Sequence, residues 1–128
     1  MTQKLKKPPL DGKNRKEIEC ALDEIEEMDV SNPAASEVAL DNLASLLRKL
    51  FFADQRQYFT RRTPSLYDLV EKMHKVYDLE ESILDAAYEL KTALEDSYIE
   101  TNEMTQEKAQ SSRGVVVQGI KNFLEAES

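Results

Sequence analysis

The chain has no tryptophan, one cysteine, one histidine, three glycines and four prolines in 128 residues. Each shortage excludes something. A domain built of β-strands needs turn residues every 8 to 12 positions or so, and glycine and proline are too few to supply them. A lone cysteine, Cys20, forms no internal disulfide. It sits in a helical pattern beside apolar neighbours, so the expectation is a small buried hydrophobe and a reducing compartment. One histidine, His74, leaves little for a Ser or Cys nucleophile to work with. No Gly-rich phosphate loop is present. No apolar run approaches the roughly 18 residues of a membrane span. Three lysines near the N-terminus are followed by Pro8 and Pro9 and by no apolar segment, so they do not read as a secretory signal. The expected location is cytoplasmic.

What is present points to helices. Hydrophobic residues make up 41% and charged residues 33%, above the usual quarter of charged residues. A single domain of this length buries about two-thirds of the surface its unfolded chain exposes. Residues 1–12, MTQKLKKPPLDG, read as a flexible basic tail. The remainder, residues 13–128, reads as a single helical domain.

Apolar spacing predicts helices over 13–28, 33–59, 64–77, 79–110 and 115–126. Ile18, Ala21, Leu22, Ile25 and Met28 form the stripe of the first. Asn32-Pro33 is a cap followed by a first-turn proline, and Thr63-Pro64 repeats the signature. The second helix carries Val38, Leu40, Leu43, Leu46, Leu47, Leu50 and Phe51 on its apolar side, and the third Leu66, Leu69, Val70, Met73 and Tyr77. In the fourth, Leu79, Ile83, Ala86, Ala87, Leu90, Ala93, Leu94 and Tyr98 trace a seam whose alanines admit a close neighbour. Residues 100–113 are polar and read either as an extension of the fourth helix, to about residue 110, or as a linker, and Ser111 to Gly114 reads as a break before a short last helix. The expected fold is all-α: an antiparallel four-helix bundle with a short additional C-terminal helix.

The net charge of −8 is unevenly placed. Residues 17–45 hold nine carboxylates and no Lys or Arg, and residues 78–107 hold ten carboxylates and one Lys. Between them, residues 48–62 read RKLFFADQRQYFTRR, with five cations against one Asp. Rings and arginines together are what contact hot spots are made of. Phe52, Arg56 and Phe59 share one helical strip, and Arg61 and Arg62 follow. These five are the expected partner-binding residues of a non-catalytic protein–protein interaction module: an adaptor, an inhibitor, a small chaperone or an immunity-type protein. No cofactor is expected, and the broad apolar stripes suggest a homo-oligomer.

Two other readings stand beside this one. Glu71-x-x-His74 has the spacing of a carboxylate–histidine metal pair, so a dimer could assemble a metal site around Glu71 and His74. The 48–62 segment has the cations and rings of a single-stranded nucleic-acid binder. Nineteen carboxylates in the two flanking blocks repel a polyanion and argue against the second. The carboxylate pairs fall on polar faces rather than in a pocket that would drive their pKa values apart, so no enzyme activity is expected.

Overall fold

The computed structural model describes residues 11–52, 65–99 and 103–125. Among these residues there are five helices and no strand: α1 Gly12–Glu27, α2 Pro33–Phe51, α3 Leu66–Val76, α4 Glu81–Ile99 and α5 Glu103–Glu125. The expected N-terminal tail lies almost entirely outside them. No helix among the described residues is long and apolar enough to cross a membrane.

Local chemistry sets the helix starts. Asp11 caps α1 by accepting from the Asn14 N–H at 2.7 Å. Asn32 caps α2 through Ala35 N–H at 3.2 Å, and Pro33 takes the first position, where its missing N–H costs nothing. α3 opens on a reciprocal capping box. Ser65 N–H donates to Asp68 at 3.0 Å, and Asp68 N–H donates to the Ser65 hydroxyl oxygen at 3.2 Å. The cap is thus Ser65 rather than Thr63, which lies outside the described residues. α2 ends at Phe51, and Phe52 leaves helical geometry with φ −132° and ψ 22°. The expected run of this helix to residue 59 therefore stops short, with residues 53–64 outside the described set.

The helices pack α1 on α2, α2 on both α3 and α4, α3 on α4, α4 on α5, and α5 back on α1. One large apolar cluster, with Ile18, Leu22, Leu43, Leu47, Met73 and Ile120 among its members, runs through all five. A smaller one joins Val30, Leu90, Ala93, Leu94 and Ala109. α4 and α5 run in opposite directions, since Ile83 meets Gly119 near one end and Ala93 clusters with Ala109 near the other.

α5 corrects two expectations. The polar stretch and the short terminal helix are one element of 23 residues. Its buried stripe at this level is made of small residues, Ala109 and Ser112, which continue into Val116 and Ile120. The Ser112 hydroxyl donates to the Lys108 carbonyl at 2.7 Å, inside its own helix, so its burial leaves no unmet donor. Three further side chains differ from expectation. Cys20 is exposed, because it lies two positions from both Ile18 and Leu22 and so points about 200° away from each. Val38 is exposed, and Ala39 and Ala44 take the core beside Leu43 and Leu47. Tyr98 is exposed while Ser97 is buried.

The two glycines of α5 separate helix propensity from packing. A Cβ at Gly114 would meet nothing within 4 Å, whereas one at Gly119 would press on Ile83, 2.5 Å from its Cδ1. Gly114→Ala is expected to stabilise the fold by about 0.5–1 kcal/mol. Gly119→Ala is expected to destabilise it by about 1–2 kcal/mol, because overpacking against a stiff β-branched side chain outweighs the same propensity gain. Paired urea melts measure both. Equal stabilisation by the two alanines would mean that α4 and α5 are not in this close contact.

Candidate functional site

Three helices converge on one groove of about 270 Å³. α2 contributes Glu37, Leu40 and Asp41, the start of α3 contributes Ser65, Leu66 and Tyr67, and α4 contributes Leu90, Lys91, Leu94 and Glu95. Helical spacing builds both layers. Leu90 and Leu94 are one turn apart on the inward face of α4, and Lys91 and Glu95 follow them one position on. Glu37 and Asp41 are one turn apart on α2 and flank Leu40. The floor is therefore apolar and the rim charged, with three carboxylates against one amine.

The electrostatics of the rim are unbalanced. Asp41 is exposed as a residue, yet partial desolvation in the groove, followed by the Glu37 carboxylate one turn away, raises its pKa above the ordinary Asp value. No described cation pairs with it. The Tyr98 hydroxyl donates to Glu37 at 3.0 Å across α2 and α4. Desolvation, and then this bond, raise the Tyr98 pKa. Tyr67 is also raised, by desolvation first and then by Glu71. Lys91 lies 3.8 Å from Glu95 and 5.5 Å from the centre of the Tyr67 ring. Tyr67 in turn meets Tyr88 edge-on at 5.6 Å. The amine is thus held by a carboxylate and an aromatic face on its own side of the groove, and Glu37 and Asp41 are left facing it uncompensated. Such a groove can seat an apolar side chain on its floor and a cation on its α2 rim.

The residues expected from the sequence to bind a partner are placed differently. Phe52 is 2% exposed and packs edge-on against Tyr77 at 5.9 Å, so in this fold its ring belongs to the core rather than to the expected exposed seam. Its burial follows from the end of α2. Once the helix stops at Phe51, both adjacent rings turn inward around Tyr77. Arg56, Phe59, Arg61 and Arg62 lie outside the described residues.

The Glu71-His74 pair is engaged elsewhere. His74 Nδ1 lies 2.6 Å from the Leu79 carbonyl oxygen. A carbonyl only accepts, so this nitrogen carries a proton and donates. The contact ties the end of α3 to the approach to α4. Glu71 pairs with Lys75 at 3.4 Å. Among the described residues, no three His, Cys, Asp or Glu side chains come together in a way that could hold a metal ion.

The groove residues were not singled out by sequence reasoning. The floor leucines read only as core stripe, the charged rim residues sit on polar faces with many equivalents, and nothing along the chain says that positions 37, 41, 67 and 91 meet. The one local signal was Ser65-Leu66-Tyr67-Asp68, a capping-box pattern that fixes where Tyr67 enters α3. No family model, no curated protein and no solved structure matches this chain.

Proposed function

We propose that this chain is a non-catalytic protein–protein interaction module whose α2–α3–α4 groove takes a basic amphipathic segment of another protein. In this reading α1, α2, α4 and α5 form an antiparallel four-helix bundle, and α3 sits across α2 and α4. The pairing of α1 with α2, α2 with α4, α4 with α5 and α5 with α1 supports that arrangement. The observation that carries the functional reading is the uncompensated pair Glu37 and Asp41 over the Leu40, Leu66, Leu90 and Leu94 floor. An apolar anchor with a neighbouring Lys or Arg satisfies both layers at once. A polyanion would meet two carboxylates instead.

The test uses a synthetic helical peptide with leucines on one face and lysines beside them, and its twin with glutamates in place of the lysines. Fluorescence anisotropy should show binding of the first and not the second. Glu37→Gln with Asp41→Asn should weaken binding about tenfold, which is the effect of removing one or two partly desolvated charge contacts. Amide shifts should map to Leu40, Tyr67 and Lys91. Equal affinity for both peptides, or shifts on another face, would reject the reading.

The pH dependence has a definite sign. Binding of a cation requires Asp41 ionised, and its pKa is raised. Affinity should therefore fall with acidification from a higher pH than an ordinary Asp would give, and Asp41→Asn should remove that part of the dependence. Stability moves the other way. A raised folded-state pKa means that Asp41 favours the fold below its unfolded value and loses that contribution as pH rises through the folded one. Asp41→Asn is thus expected to leave neutral-pH stability equal or slightly higher while it weakens binding.

A further inference from the structure

The outward face of α1 has a charge pattern complementary to itself. Lys13, Lys16, Cys20, Glu24 and Glu27 are all exposed. At 100° per residue they fall on one side of the helix, spanning about 80°. This side lies away from Ile18, Leu22 and Ile25, which are buried. The cations occupy its first half and the carboxylates its second, with Cys20 midway. An open groove beside it, between α1 and α2, is floored by Ala21 and Leu46 and includes Cys20. None of its residues belongs to the α2–α3–α4 groove.

We infer that this face is a docking surface for a second copy of this chain, with the two α1 helices antiparallel across a two-fold axis at Cys20. Antiparallel pairing about residue 20 sets Lys16 opposite Glu24 of the second copy and Lys13 opposite Glu27. The symmetry repeats both pairs, so four ion pairs form around one axis. None of the four side chains has an ion-pair partner among the described residues of its own copy. The same register sets Glu17 opposite Asp23. Asp23 is held at 3.5 Å by Lys121 of its own α5, which partly neutralises it and draws it off the seam. A parallel pairing would set like charge on like along the whole face. The antiparallel arrangement is therefore the one that the charge selects. Exposed ion pairs are individually weak, and a net charge of −8 opposes association of any two copies. At about 0.15 M ionic strength the Debye length is about 8 Å, which screens charge across the molecule more than charge in contact. The contact is a weak, reversible dimer.

The experiment is a charge swap in the full chain, read by sedimentation velocity at that ionic strength. One variant carries Lys13→Glu and Lys16→Glu, and its face is wholly acidic. The other carries Glu24→Lys and Glu27→Lys, and its face is wholly basic. Wild type should self-associate, and each variant alone should do so about tenfold more weakly or not at all. An equimolar mixture should form a heterodimer, since every pair is then complementary. The basic-face variant separates this from a net-charge effect. It lowers the overall negative charge, so a surface elsewhere would make it associate more strongly. A short bis-maleimide should join two wild-type chains through Cys20, and Cys20→Ser should abolish the crosslink while sedimentation is unchanged. All four charged side chains are exposed, each swap suits its end of the α1 dipole, and cooperative melting at or above the wild-type temperature confirms that the variants fold. A monomeric wild type at high concentration, undiminished association of either variant, or no heterodimer in the mixture would each overturn the inference.

Discussion

Phe51→Ala is expected to lower the free energy of unfolding by about 3–5 kcal/mol, the range for emptying a buried aromatic site. Phe51 is 4% exposed and its ring sits 5.4 Å from Tyr77 and 6.0 Å from Phe123. Phe51 ends α2 and its two ring neighbours come from the ends of α3 and α5, and neither can move into the void without withdrawing from its other contacts. The Phe51 carbonyl also accepts the Tyr77 hydroxyl at 3.0 Å in a buried setting. That bond fixes the ring against which Phe51 and Phe52 both pack. Tyr77→Phe keeps the ring and loses only the bond, so its cost should be about 0.5–1.5 kcal/mol. A domain of this size has about 5–15 kcal/mol in all, so the alanine variant could sit near its unfolding midpoint. Phe51→Leu, which fills part of the void, gives a graded companion. Urea unfolding at constant m-value measures all three. A loss below about 1 kcal/mol for the alanine would show that the ring cluster does not hold these helix ends together.

Arg113→Met is expected to cost about 1.5–3 kcal/mol, through one charge-assisted bond. The Arg113 guanidinium on α5 donates to the Met28 carbonyl at the end of α1, at 2.7 Å and partly buried. α1 needs this help more than most helices. Its last turn has no basic residue and holds Glu24, Glu26 and Glu27. These carboxylates add to the partial negative charge that already gathers at a helix C-terminus. Lys121 meets part of the excess by reaching Asp23 and Glu26, each at 3.5 Å. Burial works against the Lys121 charge, but Glu26 and Asp23 together outweigh it and raise its pKa. Arg113 meets the carbonyl itself. Methionine keeps the apolar stem and leaves the carbonyl unpaired, so the loss isolates the guanidinium. Hydrogen exchange should localise the effect to the last turn of α1. A uniform loss across the molecule, or no loss, would contradict this assignment.

The helical class and most of the core were legible in the sequence because periodicity reports which side of a helix is apolar. Ile18, Leu22 and Ile25, or Leu69, Val70 and Met73, repeat at a spacing that only a helix turns to one side. Asn32-Pro33 was legible for a similar reason, since a cap followed by a proline has few other uses. Misreadings came where the buried side chains are small. Ala109 and Ser112 carry little hydropathy, yet they are buried in the helix that lies close against α4, so the polar run around them looked like an extension or a linker. Phe52 was misplaced because its assumed helical direction depended on α2 continuing, and one residue of altered backbone turned its ring inward. The groove was invisible for a different reason. Glu37, Asp41, Tyr67 and Lys91 become a site only through the docking of α3 on α2 and α4. That is a property of packing and leaves no spacing along the chain.

The contact of α1 with α5 also sets an order of events in folding. Pairs such as α1 with α2, or α4 with α5, close short loops and can zip within microseconds once their helices form. The bond between Met28 and Arg113 spans 85 residues, and its loop carries the largest entropy of closure among the described hydrogen bonds. Long-range contacts of this kind slow a helical protein toward the rates of mixed folds. On a ribosome, the inner face of α1 would wait for α5 to emerge, with Leu22 meanwhile lacking its cover. The slowest step and the most aggregation-exposed interval thus coincide, and both end when α5 meets α1.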